Sequence, residues 1–180
     1  MSFGTLSRFT LALALTAPFA LGTTACGNKD EPIFDFALAV DRVAAAAEIS
    51  RKMNFVLTAR TENFLRARPD LDDTIKRLQA FEKAGADVLM SPGLPDLDAV
   101  RAVCKALNKP FNFMTGIRGK SFSVAALEAA GVRRISLATS LYRAAMTGLI
   151  EAGREALEQG SFGFIQRAIA TPDLAKYLKE

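Results

Sequence analysis

The side chain with the strongest potential for chemistry is an arginine at the end of a short apolar run. In residues 55–60, FVLTAR, strand geometry would place Val56, Thr58 and Arg60 on one face and the three intervening side chains under packing helices. A guanidinium fixed at a strand end forms a planar fork that binds a carboxylate or a phosphate. Arg60 could instead pair with a neighbouring Asp or Glu, and the residues alone leave both interpretations open.

An asparagine interrupts a second apolar run, residues 110–115, PFNFMT. Asn112 alternates with two phenylalanines, so a strand here would place its amide on the sheet face opposite to their rings. A buried amide is costly unless it is hydrogen-bonded. Asn112 is therefore expected either to contact a ligand at the strand end or to satisfy a backbone group.

The composition excludes several classes of catalytic site. The chain of 180 residues contains no histidine, which removes the usual Ser–His and Cys–His pairs and the commonest metal ligand. Its two cysteines, Cys26 and Cys104, are too isolated to predict a thiolate metal cluster or a disulfide framework. The net charge is +4, but the cations are scattered among carboxylates, so no nucleic-acid partner is predicted.

Residues 1–26 have the order of a secretory signal peptide: one cation, Arg8, then the apolar run 9–21, then small residues. The run is short and contains Pro18, so it is not expected to span a membrane as a helix. Cys26 resembles the lipidated cysteine of a bacterial lipoprotein, which would anchor the chain to a membrane. The alternative is an accidental extension, which leaves the localisation open between export and cytoplasm.

Helix-type and strand-type segments alternate after the polar linker 27–36. Gly85 and Gly131 are expected to end helices in the left-handed conformation, and Asp96 and Ser140 to cap helix N-termini. The predicted helices are 37–52, 72–84, 96–107, 121–130 and 140–159, and the predicted strands are 54–60, 86–91, 110–115 and 132–138.

This alternation predicts an α/β fold of right-handed βα units with parallel strands. No glycine-rich nucleotide loop follows a predicted strand, which favours a β/α barrel over an open sheet. In such barrels the functional side chains gather on the loops after the strands. Arg60 and Asn112 are thus predicted to face the mouth of the barrel.

Several segments together resemble the isocitrate lyase / phosphoenolpyruvate mutase superfamily. The resemblance extends over about residues 33–165 and corresponds to strands five to eight of the family barrel. It implies the C-terminal four units of a (β/α)8 TIM-type barrel at 37–165, followed by a tail at 166–180. The matching segments are 55–65 (FVLTARTENFL), 72–88 (DDTIKRLQAFEKAGADV), 110–114 (PFNFM), 131–136 (GVRRIS) and 140–145 (SLYRAA).

The resemblance also implies a chemistry. Members of the superfamily are lyases, mutases and decarboxylases that make or break C–C or P–C bonds of small 2-oxo acids with the help of Mg²⁺. Arg60 corresponds to the arginine that grips the substrate carboxylate, and Asn112 to an active-site asparagine. The family further implies a homo-oligomer in the cytoplasm.

The sequence also lacks residues that the family uses for catalysis. The acidic Mg²⁺ ligands of the family lie on early strands, and its lyases carry a Lys-Lys-Cys-Gly-His loop; this sequence has neither. Gly93 stands where several lyases have a glutamate. The chain is thus expected to be either an enzyme that takes its metal ligands from elsewhere or a non-catalytic, self-associating half-barrel remnant. A third interpretation is an exported lipoprotein with a half-barrel domain.

Overall fold

The computed structural model describes residues 33–178, which divide after Ala138 into two compact units. The signal-like segment and the lipidation site at Cys26 lie outside the described residues and stay predictions. Among residues 33–178, no helix is long and apolar enough to cross a membrane.

Helices and strands alternate through the described part of the first unit. All four strands run parallel in one sheet, in the order β1-β2-β3-β4. This confirms the predicted α/β class and the partial β/α barrel. The elements are α1 Phe36–Lys52, β1 Thr58–Arg60, α2 Leu71–Ala84, β2 Val88–Met90, α3 Leu97–Ala106, β3 Phe111–Met114, α4 Val124–Ala129 and β4 Arg134–Ser136.

One face of the sheet packs under the helices and forms the hydrophobic core. Burial of each large apolar side chain there contributes about 1.5–3 kcal/mol. The strand side chains of this core include Leu57, Ala59, Leu89, Phe111 and Phe113, and the helix side chains include Val43, Leu78, Phe81, Val100, Val103 and Leu127.

The predicted alternation in β1 is correct only where the chain is extended. Leu57 and Ala59 are buried as predicted. Phe55, expected under the helices, is 53% exposed instead. The strand begins only at Thr58, so the side-chain alternation does not extend back to Phe55.

The local signals at the helix ends are mostly confirmed. The carboxylate of Asp96 accepts a hydrogen bond from the amide of Ala99 at 2.8 Å and caps α3. Gly85 and Gly131 have φ angles of 109° and 98°, the left-handed conformation that glycine adopts without strain. At Gly131 a Cβ would also lie 2.9 Å from the Cβ of Cys104.

The second unit is helical, and none of its described residues is buried. The predicted cap at Ser140 is wrong: Ser140 is the first helical residue, and Thr139 precedes it without a side-chain capping bond. The predicted α-helix also ends early and continues as a π-helical turn. The elements are α5 Ser140–Arg154, the π turn Glu155–Gln159, the 3-10 turns Gly163–Arg167 and Ala175–Tyr177, and α6 Thr171–Leu174.

Candidate carboxylate-binding site

The parallel register places Arg60 and Asn112 on the same face of the sheet. Arg60 is in register with Met90, and Met90 with Asn112. Side chains in register on neighbouring strands point to the same side. The two residues are therefore two strands apart, about 10 Å between Cα atoms, on the face opposite to the helices.

Arg60 forms an ion pair with a buried carboxylate. Its Nε lies 2.6 Å from Oε1 of Glu62, and Nε of Arg66 lies 3.5 Å from the other carboxylate oxygen. The Glu62 side chain is 2% exposed, whereas that of Arg60 is 35% exposed. Pairing with a neighbouring acid, one of the two predicted alternatives, thus occurs at Nε, as an ion pair without hydrogen-bond geometry. The sequence signal for Glu62 is its position two residues after the arginine.

Hydroxyl and backbone contacts hold the loop after β1 against the loop after β2. Thr61 donates its backbone amide to the carbonyl of Met90 at 3.0 Å. Its hydroxyl donates to that of Ser91 at 3.2 Å, and both residues are buried. The segment that carries Arg60 and Glu62 is therefore positioned by the neighbouring strand.

A second polar network holds the other end of this loop. Asn63 is 1% exposed, and its side-chain amide nitrogen donates a hydrogen bond to a carboxylate oxygen of Asp73 at 2.7 Å. Arg77 donates to the same carboxylate oxygen at 2.7 Å and to the carbonyl of Phe34 at 2.9 Å. The network joins the loop to helix α2.

The carboxyl group of Asp73 is expected to make the protein sensitive to acid. Its burial acts to raise the pKa, but the hydrogen bonds from Arg77 and Asn63 and the nearby charge of Lys76 together hold the pKa below its ordinary value. The folded state therefore keeps this carboxylate ionised at pH values where the unfolded chain is protonated. The resulting stabilisation is present above the ordinary aspartate pKa of about 3.9 and is lost as the pH falls through the lower, folded-state pKa.

Urea unfolding between pH 6 and pH 2.5 measures this effect. Wild-type protein should lose stability more steeply than Asp73→Asn once the pH is below about 4. Parallel pH profiles for the two proteins would contradict the assignment.

Asn112 has a partner that neither predicted alternative named. It is 1% exposed, and its Nδ2 donates to the hydroxyl oxygen of Ser136 at 3.1 Å, while that hydroxyl donates to Oδ1 at 3.3 Å. The partner is thus a side chain of β4, not a backbone group. The polar position of Ser136 inside the short strand 134–136 was the available signal.

The described residues do not fit a Mg²⁺ site by themselves. Among residues 33–178, no three His, Cys, Asp or Glu side chains form a group that could hold a metal ion. Two carboxylates that follow β1 are already paired with cations, Glu62 with Arg60 and Arg66, and Asp73 with Arg77.

Comparison with known proteins decides the family. Residues 20–157 match the family model described as phosphoenolpyruvate phosphomutase. The chain belongs to this family. The superfamily resemblance read from the sequence is thereby confirmed.

Relatives of the phosphomutase family support the same assignment. A 2-methylisocitrate lyase from Shewanella oneidensis is 27% identical over 157 residues, which cover 85% of this chain and 53% of that protein. A structure from Burkholderia cenocepacia, provisionally described as a lyase/mutase, is 41% identical with a TM-score of 0.82 and covers 87% of this chain and 57% of that chain. A 2,3-dimethylmalate lyase of the PEP mutase/isocitrate lyase superfamily is 25% identical with a TM-score of 0.64, covering 73% of this chain and 47% of that chain. The chain thus spans about half the length of these relatives.

One solved structure with the same fold contains Mg²⁺. A phosphonopyruvate hydrolase in complex with oxalate and Mg²⁺ shares the fold of this chain, with a TM-score of 0.65 at 17% identity over 83% of this chain and 54% of that chain.

Proposed function

We propose that this chain supplies the carboxylate-binding part of a phosphomutase-family barrel that acts on a small 2-oxo acid. Arg60 contacts the ligand carboxylate, and Asn112 lies on the same face beside the ligand. The observation that carries the proposal is the guanidinium of Arg60, oriented by the buried Glu62 at the carboxyl end of β1.

The ion pair and the proposed contact use different parts of the guanidinium. Glu62 lies beside Nε, so a ligand carboxylate would meet the two terminal nitrogens. A guanidinium whose orientation is preset loses less conformational entropy when it binds a carboxylate. Glu62 therefore has two effects on Arg60: it pairs with the positive charge, and it presets the orientation in which the guanidinium meets an anion.

The relatives support the ligand class. 2-Methylisocitrate and 2,3-dimethylmalate, after which two of them are named, are small carboxylates, and the hydrolase structure contains oxalate. The corresponding reaction is the cleavage or rearrangement of a C–C or P–C bond. Mg²⁺ would stabilise the enolate charge, with ligands from residues outside 33–178.

A non-catalytic carboxylate-binding half-barrel is the second candidate. It is favoured by the pairing of Glu62 and Asp73 with arginines, which leaves neither carboxylate uncommitted for metal or proton transfer. Mg²⁺-dependent turnover of a 2-oxo acid by the purified chain would exclude this candidate.

Calorimetric titration with oxalate and pyruvate tests the proposed binding. Arg60→Lys keeps the positive charge beside Glu62 but removes the planar fork, so affinity should fall about tenfold or more. Arg101→Lys is the matched control, because Arg101 is exposed on α3 and pairs with Asp98. Equal affinities for wild type and Arg60→Lys would refute the role of Arg60.

We propose self-association of the chain because its second unit leaves large apolar side chains in solvent. Leu141, Tyr142 and Leu149 on α5 are 69%, 66% and 64% exposed. Burial of such side chains between copies would be favourable. Light scattering should show a mass above that of one chain, and a monomeric mass at micromolar concentration would contradict the prediction.

A further inference from the structure

The loop after β3 reaches across to the loop after β2 through a lysine. Nζ of Lys120 donates a hydrogen bond to the carbonyl oxygen of Gly93 at 3.0 Å. Because β1, β2 and β3 are parallel, both loops lie at the edge of the sheet where Arg60 ends β1. The ammonium group is therefore on the same rim as the proposed site.

Internal hydrogen bonds preset the backbone around Lys120. The hydroxyl oxygen of Ser121 accepts from the hydroxyl of Thr115 at 3.0 Å and from the amide of Gly116 at 3.2 Å. The amide of Lys120 donates to the carbonyl of Ile117 at 3.1 Å. The loop thus has a defined shape, and the lysine side chain leaves it from a fixed point.

The loop after β2 also lies against the loop that follows Arg60. Gly93 has a φ of 86°, and a Cβ at this position would lie 3.3 Å from Cβ of Phe64 and 3.4 Å from Cδ2 of Leu65. The Thr61–Ser91 hydroxyl contact joins the same two loops. The three loops therefore form one continuous rim from Arg60 to Lys120.

Lys120 contacts a neutral backbone carbonyl. Lys52 and Lys176 pair with carboxylates, whereas Lys120 takes part in none of the ion pairs found among residues 33–178. A neutral carbonyl is a weaker partner for an ammonium group than an anion is. The lysine side chain is flexible, so an anion at the rim could take the place of the Gly93 carbonyl.

We propose that Lys120 is a second anion-binding residue and selects ligands with two acid groups over ligands with one. The first carboxylate binds Arg60. The second acid group binds the ammonium of Lys120, whose hydrogen bond to the carbonyl of Gly93 is then broken. This inference rests on the proposed function, because it assumes that Arg60 holds the first carboxylate.

Affinities for oxaloacetate and pyruvate, which differ by one carboxylate, test the inference in metal-free buffer. Lys120→Met removes the charge and leaves an unbranched side chain only one atom shorter, so the affinity for oxaloacetate should fall about tenfold while that for pyruvate stays at the wild-type value. Lys120→Arg should retain the preference for oxaloacetate. Lys109→Met is the control, because Lys109 is an exposed lysine at the other end of β3.

The outcomes separate this inference from the proposal on which it rests. An equal loss for both ligands in Lys120→Met would show that the lysine only ties two loops together, and no loss for either ligand would show that it is not a contact; each result overturns the inference. Retained binding of both ligands in Arg60→Lys, or no binding of either by wild type, would instead overturn the proposed function and the inference with it.

Discussion

Replacing Phe111 by alanine is expected to lower the free energy of unfolding by about 3–5 kcal/mol. Phe111 is 1% exposed and begins β3, the strand that pairs with both β2 and β4. Its ring fills the core between the sheet and the helices. The substitution would remove the buried ring and leave a cavity that the two neighbouring strands cannot close.

Phe55→Ala is the matched control for this prediction. Phe55 is 53% exposed, so the same loss of a ring should cost only about 0.5–1 kcal/mol. Urea unfolding of the two variants measures the difference. Comparable losses would show that Phe111 contributes no more packing than a surface ring.

Replacing Arg60 by alanine is expected to destabilise the protein by about 2–3 kcal/mol, apart from any effect on ligand binding. The Glu62 carboxylate is 2% exposed and would keep only Arg66, at 3.5 Å, as a cationic partner. Removing one member of a buried ion pair leaves an uncompensated charge in a poorly solvated place. The expected loss is below that of a fully buried pair because 35% of the Arg60 side chain is in solvent.

A double-mutant cycle isolates this contribution. Glu62→Gln added to Arg60→Ala removes the uncompensated charge, so the double variant should recover about 1–2 kcal/mol relative to Arg60→Ala. Strictly additive losses would mean that the two residues are not energetically coupled. Arg60→Lys, which keeps the charge next to Glu62, should stay close to wild type in stability while losing ligand affinity.

A loss of stability in Arg60→Ala and a loss of ligand affinity in Arg60→Lys would together show that Arg60 both stabilises the fold and binds the ligand. The ion pair with Glu62 is a structural contact at Nε, and the proposed anion contact would use the rest of the guanidinium. A site that is preorganised in this way depends on a buried carboxylate for its geometry. The substitution that tests binding must therefore keep the charge of Arg60.

Local signals in the sequence determined most of the fold. Alternating periods predicted the parallel βα units, Gly85 and Gly131 marked helix ends, and Asp96 marked a helix start, because each depends on a few neighbouring residues. The failures at Phe55 and Ser140 have the same origin: a run of strand-forming residues or a capping side chain does not decide where a strand or a helix actually starts.

The sequence by itself thus determined the class of the fold and the family, and it predicted Arg60 and Asn112 as substrate-binding residues. Only the tertiary structure decided the surroundings of Asn112 and of Lys120, because their partners come from distant parts of the chain. Asn112 meets Ser136 across 24 positions, and Lys120 meets Gly93 across 27. These contacts depend on which strands are neighbours and on the register between them, and neither quantity is encoded in any one segment.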